Sequence, residues 1–103
     1  MKTWLMGLAL TLLPGAGTWA QDVNAGRALA ATCATCHGTQ GRPVGGTMAP
    51  LAGLPADRLL ALLTDYRQGR QPGTVMPQIT RGYTEAQLRL IAAYFAAQPP
   101  ARP

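Results

Sequence analysis

The fold is decided by Cys33-Ala34-Thr35-Cys36-His37, a stretch that holds both cysteines and the only histidine of the 103-residue chain. Two thiols at this spacing can form thioether bonds to the two vinyl groups of one porphyrin, and the imidazole that follows then lies under the iron. Cys-x-x-Cys-His is accordingly the attachment signature of c-type haem. The motif predicts one covalent haem c, held by Cys33 and Cys36, with His37 as the proximal iron ligand.

The first twenty residues have the three parts of a secretory signal. Lys2 supplies the positive start, an uncharged and mostly apolar stretch follows at 4–13, and the small residue Ala20 ends the segment. An uncleaved membrane anchor needs roughly 20 apolar residues, and Pro14 interrupts this run earlier. We therefore predict cleavage after Ala20, a single periplasmic domain at 21–103, and no stable membrane span once the signal is removed.

The predicted mature domain is small and poor in aromatic residues. Range 21–103 has no tryptophan, no lysine and a single phenylalanine, Phe95. A core this small is marginal unless something else stabilises it, and a covalently attached porphyrin would do so. Its eight arginines outnumber its four acidic residues but are scattered, without basic runs or interleaved aromatics. This pattern argues against a nucleic-acid partner and is compatible with docking to an acidic protein.

Helix signals and glycine- or proline-rich loops divide the mature range. A candidate N-cap, Asp22, precedes the first helical segment, and a capping box at Thr84 starts the last one. The predicted helices lie at about 23–33, 55–69 and from 84 until Pro99, and the predicted loops at 38–54 and 70–83. Loops this long are uncommon in so small a domain unless they wrap something. We predict an all-α fold of three to four short helices and long loops around one haem.

Two other chemistries use closely spaced cysteines. A redox dithiol–disulfide pair usually follows a strand in a thioredoxin-like unit, whereas here the motif ends a predicted helix. A structural zinc site needs four ligands, and the three at residues 33–37 would require a partner chain. The haem interpretation is favoured over both because the motif, the export signal, the small core and the long loops agree.

Met48 and Met76 are the two methionines of range 21–103 and the candidates for the distal iron ligand. Methionine is the usual partner of histidine in electron-carrying c-type haems, where it raises the reduction potential. Met48 lies 11 residues after His37, in the loop that leaves the proximal side, whereas Met76 lies 39 residues after it. The longer separation lets the chain reach the opposite face, which favours Met76. Met48 as the ligand, an open sixth position and plain core filling by either methionine are the alternatives.

Several runs make the chain resemble a small class I cytochrome c. They are 33–39, 51–54, 66–69 and 74–76. Within that family, the run 74–84 is most similar to the cytochrome subunit of flavocytochrome c sulfide dehydrogenase, and 92–96 also fits. The resemblance covers nearly all of 21–98.

The resemblance implies the class I cytochrome c fold, in which the first and last helices cross, with Gly26 and Tyr94 at the crossing. It also implies Met76 as the distal ligand. The family usually has a proline whose carbonyl accepts a hydrogen bond from the proximal histidine, and here that place falls on Ala49, next to Pro50. Some of these cytochrome subunits carry two haem domains, whereas this chain has one Cys-x-x-Cys-His motif.

The leading functional hypothesis is a monohaem electron carrier without catalytic residues of its own. The resemblance implies an FAD-containing flavoprotein subunit that oxidises sulfide as the electron donor. A free shuttle between respiratory complexes is the main alternative. A haem-based ligand binder or peroxidase-like enzyme needs an open sixth position and a distal acid–base group, and the only histidine is already assigned to the proximal side.

Overall fold

The computed structural model describes residues 17–101, which over that range are helices joined by loops, without a β-strand. The helices are α1 (Gly17–Ala30), α2 (Ala34–His37), α3 (Ala56–Arg67), α4 (Met76–Thr80) and α5 (Glu85–Ala96). Two 3-10 turns, Ala31–Cys33 and Thr39–Gly41, flank α2. The predicted all-α fold is confirmed. The predicted signal segment up to residue 16 lies outside the described residues.

The first predicted helix differs from the observed one at both ends. α1 begins at Gly17, and it ends at Ala30, where a 3-10 turn carries the chain to Cys33. Turns of this kind are frequent at helix ends, and the run of small residues there contains no stop signal. The 3-10 turn therefore includes the first cysteine of the motif, and α2 begins at Ala34, between the two thiols.

The second and third predicted helices are confirmed. α3 begins directly after Pro55, and Gly69, with φ 77°, follows its end. At the start of α5 the Gln87 backbone N–H donates to Thr84 Oγ1 at 3.1 Å, and the Thr84 N–H donates to Gln87 Oε1 at 2.9 Å. This is the predicted capping box, which satisfies two backbone donors that the helix start leaves unpaired.

α4 lies within the segment 70–83 that the sequence predicts as a loop. The helix has five residues and contains Pro77 in its first turn, where proline's missing N–H costs nothing. The buried Thr80 hydroxyl donates to the Met76 carbonyl at 2.9 Å and closes the turn. A helix this short has no hydrophobic period of its own, so the surrounding proline and glycine dominate the sequence signal.

The crossing of α1 and α5 depends on a glycine. A Cβ on Gly26 would lie 2.7 Å from the Leu90 carbonyl oxygen and 3.3 Å from Tyr94 Cβ. Only a residue without a side chain allows this approach, which confirms Gly26 and Tyr94 as crossing positions. The buried core then forms where α1, α3 and α5 meet; its members are Ala30, Leu59, Leu63, Leu88, Ile91, Ala92 and Phe95.

The long loop after α2 is pinned to the rest of the fold by backbone hydrogen bonds. The Gly41 carbonyl accepts from the Leu51 and Ala52 N–H groups at 2.9 and 3.1 Å, and the Gly53 N–H donates to the Phe95 carbonyl at 2.9 Å. Gly38, with φ 80° and ψ 165°, turns the chain out of α2. These bonds give residues 38–54 a defined path that returns to the histidine. Within residues 17–101 no helix has the length and apolar character that crossing a bilayer requires.

Candidate functional site

A cavity of about 500 Å³ lies between the cysteine motif, the loop 47–51, and the facing sides of α3, α4 and α5. Its volume is within the range of about 300–1,000 Å³ typical of small-molecule sites. All the candidate site residues of the sequence analysis line it: Cys33, Cys36, His37, Met48 and Met76. The structure therefore brings together side chains that are up to 43 positions apart in the chain.

His37 is buried at the cavity wall, with its orientation set by one hydrogen bond. Its Nδ1 lies 2.7 Å from the carbonyl oxygen of Ala49. A carbonyl can only accept, so Nδ1 carries the proton and donates it to this bond. In the neutral imidazole, the other nitrogen, Nε2, then has the lone pair that a metal ion can bind. The expected acceptor position, Ala49, is confirmed.

The two cysteines differ in exposure, although both face the cavity. Cys33 is half-buried and Cys36 is exposed, and both line the cavity. Positions three apart on a helical turn lie on the same side of it, which explains why both thiols reach one cavity. Burial raises the pKa of the Cys33 thiol.

The two methionines occupy different parts of the cavity wall. Met76, at the start of α4, is partly buried and packs against the core, whereas Met48 is 39% exposed. Met48 directly precedes Ala49, whose carbonyl is bonded to His37 Nδ1. Nδ1 and Nε2 lie on different sides of the imidazole ring. The hydrogen bond to Ala49 therefore holds the neighbouring Met48 on the Nδ1 side of the ring, away from the nitrogen that offers the lone pair. This placement favours Met76 as the second ligand.

The chemistry of the cavity suits a porphyrin. Its wall is mostly apolar, and none of the described residues lining it is aspartate, glutamate, lysine or arginine. A flat apolar ring is stabilised by such a wall, while its metal needs only a few well-placed donors. Two thiols, one imidazole with a free lone pair and a thioether provide the donor set that a c-type haem uses. The residues present therefore fit this group.

Some wall residues were not assigned to the site from the sequence. α3 contributes Leu59, Leu63 and Tyr66, which the sequence shows as one apolar helix face but not as part of a site. Their spacing of i, i+4 and i+7 is the signal that could have placed them, since the face must cover either core or ligand. Ile79 had no such signal, because α4 was not predicted.

This site defines a c-type haem protein, since the pairing of two thiols with an adjacent imidazole in one turn is the mark of covalent haem attachment. Comparison with known families agrees: the sequence pattern described as Cytochrome c matches residues 23–98. The chain belongs to the cytochrome c family. Membership implies a covalently bound haem c and a role in electron transfer, so the predicted family and cofactor are confirmed.

Three relatives illustrate the range of this similarity. The chain is 36% identical to "Cytochrome c4" of Pseudomonas aeruginosa over 95% of its own length and 49% of the relative. It is 34% identical to "Cytochrome subunit of sulfide dehydrogenase" of Chlorobaculum tepidum, over 68% of this chain and 63% of that one. It is 32% identical to "Cytochrome c-554(548)" of Halomonas halodenitrificans, over 77% of this chain and 99% of that one. The chain thus spans about half the length of the cytochrome c4 relative.

Proposed function

We propose that this chain is an exported monohaem electron carrier in which Cys33 and Cys36 attach haem c and His37 and Met76 ligate its iron. One observation carries the proposal: both thiols, the imidazole and the Met76 thioether line a single apolar cavity. The expected route of export is the signal at residues 1–20. A mature protein that begins at Gln21, measured by mass spectrometry of the intact protein with its haem, is the expected result, whereas retention of residues 1–20 would contradict it.

The residues of the site bind the haem, orient its ligand and shield it from water. Haem c, when bound, supplies one-electron oxidation and reduction. His37 donates from Nδ1 to the Ala49 carbonyl, which holds the ring in place and leaves the lone pair on Nε2. Leu59 and Phe95, which are buried at the cavity wall, exclude water. A dry wall and a thioether ligand both favour the reduced, less charged state and so raise the reduction potential.

The cavity also comes close to the protein surface, as electron exchange with a partner requires. Cys36 is exposed, and two large apolar side chains that also line the cavity, Leu62 and Val75, are 39% and 57% exposed. Exposed apolar residues around a site are typical of a protein-binding surface. Seven arginines against four acidic residues in the described range favour an acidic partner.

For the partner, we propose an FAD-containing sulfide dehydrogenase subunit. The name of the Chlorobaculum tepidum relative and the run 74–84 support this choice. The alternative is a free shuttle. The match covers 99% of the Halomonas halodenitrificans relative, which shows that a chain of about this size can be a whole cytochrome.

The test is purification of the tagged chain with its haem from its native source, followed by flavin analysis and addition of sulfide. We expect flavin to co-purify with the haem and sulfide to reduce the haem, while thiosulfate, as the control reductant, does not. A flavin-free monomer that sulfide leaves oxidised would contradict the sulfide dehydrogenase partner and favour the shuttle. Absence of covalent haem in a pyridine haemochrome assay would contradict the electron-carrier proposal itself.

A further inference from the structure

We propose that Tyr83 is a positioning residue for Met76: its hydroxyl ties the segment after α4 to the end of α1 and so keeps Met76 on the cavity wall. The inference rests on the proposed function, because it takes Met76 as the iron ligand. It assigns a role in that site to a side chain that does not line the cavity.

The Tyr83 hydroxyl has two partners at the end of α1. Its Oη lies 2.7 Å from Thr32 Oγ1 and donates to the Leu29 carbonyl oxygen at 3.4 Å. A phenol has one proton, and the carbonyl can only accept, so the Thr32 hydroxyl donates to Tyr83. Thr32 directly precedes Cys33 and lines the cavity with it. Tyr83 therefore contacts the turn that holds the first thiol.

The backbone of Tyr83 binds the other side of the cavity. Its N–H donates to the Thr80 carbonyl at 3.2 Å, at the end of α4, and its carbonyl accepts from Arg67 Nε at 2.8 Å, at the end of α3. Thr80 in turn donates from its hydroxyl to the Met76 carbonyl at 2.9 Å. A short path of hydrogen bonds thus runs from Thr32 through Tyr83 to Met76.

No second path of this kind connects the two walls in the described part of the chain. Within residues 17–101, the two bonds of the Tyr83 hydroxyl are the only hydrogen bonds between residues 29–37 and residues 74–84. α4 has five residues, and a helix that short is not stable by itself. Its position depends on packing against α3 and on the bonds that Tyr83 makes.

Loss of these bonds should therefore favour the state in which Met76 has left the iron. An external ligand such as imidazole binds only that state, so its apparent affinity rises by the factor by which the detached state gains population. The measurable quantities are the dissociation constant of imidazole for the oxidised protein and the methionine-to-iron(III) charge-transfer band. Both report on the Met76 bond and neither depends on electron-transfer activity.

The test is Tyr83→Phe in the protein with its haem. We expect imidazole to bind about 3- to 10-fold more tightly, as the loss of one or two partly exposed hydrogen bonds implies. Thr32→Val removes the same contact from the other side and should give a similar change. The double variant should bind imidazole no more than about 2-fold more tightly than Tyr83→Phe alone, because the two substitutions break one shared bond.

Thr84→Ala is the matched control. It removes the N-cap bond of α5 and destabilises the fold, but it leaves the contact between Thr32 and Tyr83 in place. We expect denaturant unfolding to shift while imidazole affinity stays unchanged. An equal change in imidazole affinity in Thr84→Ala would mean that Tyr83 acts only through overall stability, and would overturn the inference.

Two outcomes separate the inference from the proposed function. If the wild-type protein shows the charge-transfer band and Tyr83→Phe leaves imidazole affinity unchanged, the role of Tyr83 is overturned while methionine ligation stands. If the wild-type protein lacks the band, Met76 is not the ligand, and both the proposed ligation and the inference fail.

Discussion

Replacement of Met76 by alanine is expected to abolish the methionine-to-iron(III) charge-transfer band and to lower the reduction potential by roughly 0.1–0.3 V, a fraction of the about 0.8 V that axial ligands span. The thioether favours the reduced state, and alanine leaves its coordination position to water or another oxygen or nitrogen donor. Spectroscopy of the oxidised protein and a redox titration measure the two effects. For a one-electron couple, a change of 59 mV in the reduction potential changes the equilibrium constant tenfold. The expected drop therefore lowers the equilibrium constant for reduction by about two to five powers of ten.

Met48→Ala is the matched control for this prediction. Met48 also lines the cavity, but it is 39% exposed and its neighbour Ala49 is bonded to His37 Nδ1. We expect the band to persist in Met48→Ala and the reduction potential to change by less than about 50 mV, since the coordination is unaltered. A band that survives in Met76→Ala and disappears in Met48→Ala would move the ligand role to Met48. A band that persists in both variants would mean that neither methionine is required by itself, and would contradict the assignment of Met76.

Gly38→Ala is expected to reduce the free energy of unfolding by about 2–6 kcal/mol. The backbone at φ 80° and ψ 165° lies in a region that only glycine adopts without strain. For another residue, the strain costs about 1–3 kcal/mol. A Cβ there would also overlap the backbone of Arg42 and Pro43, and overpacking adds about 1–3 kcal/mol. Denaturant unfolding of the protein with its haem measures the loss. Gly38 follows His37 directly, so the bond to Ala49 should weaken as well.

Gly45→Ala separates strain from overlap. Gly45 also has a positive φ, 87°, but apart from its two chain neighbours no residue has a heavy atom within 4 Å of the position its Cβ would take. The Gly45→Ala variant should lose only about 1–2 kcal/mol of its free energy of unfolding, which is the cost of a left-handed backbone for a residue with a side chain. Equal losses in the two variants would mean that the path of the loop after α2 matters less than its backbone conformation.

The sequence predicted the cofactor and its attachment because that chemistry is local. Cys33 to His37 are consecutive, and the geometry of one helical turn is enough to bring the thiols to one side. The same is true of the capping box at Thr84, whose partner Gln87 is three residues away. A feature that depends on a few neighbouring residues can be predicted from those residues alone.

Features that depend on distant partners could not be predicted in this way. The contact between Thr32 and Tyr83 spans 51 positions, and nothing in either residue identifies the other. α4 forms because α3 lies beside it, not because its five residues favour a helix. Ala49 was placed as the acceptor for His37 only through the family resemblance, since any carbonyl along the loop could make that bond.

The bond between His37 and Ala49 has a consequence for how this domain can evolve. The acceptor is a main-chain oxygen, so the hydrogen bond does not depend on the side chain at position 49, and a proline, an alanine or another residue that fits the cavity wall can make the same contact. The constraint on substitution falls on the residues that shape the path of the loop. It is strongest at Gly38, where a side chain has no room. Substitutions should thus accumulate at the position that touches the histidine sooner than at the glycine beside it.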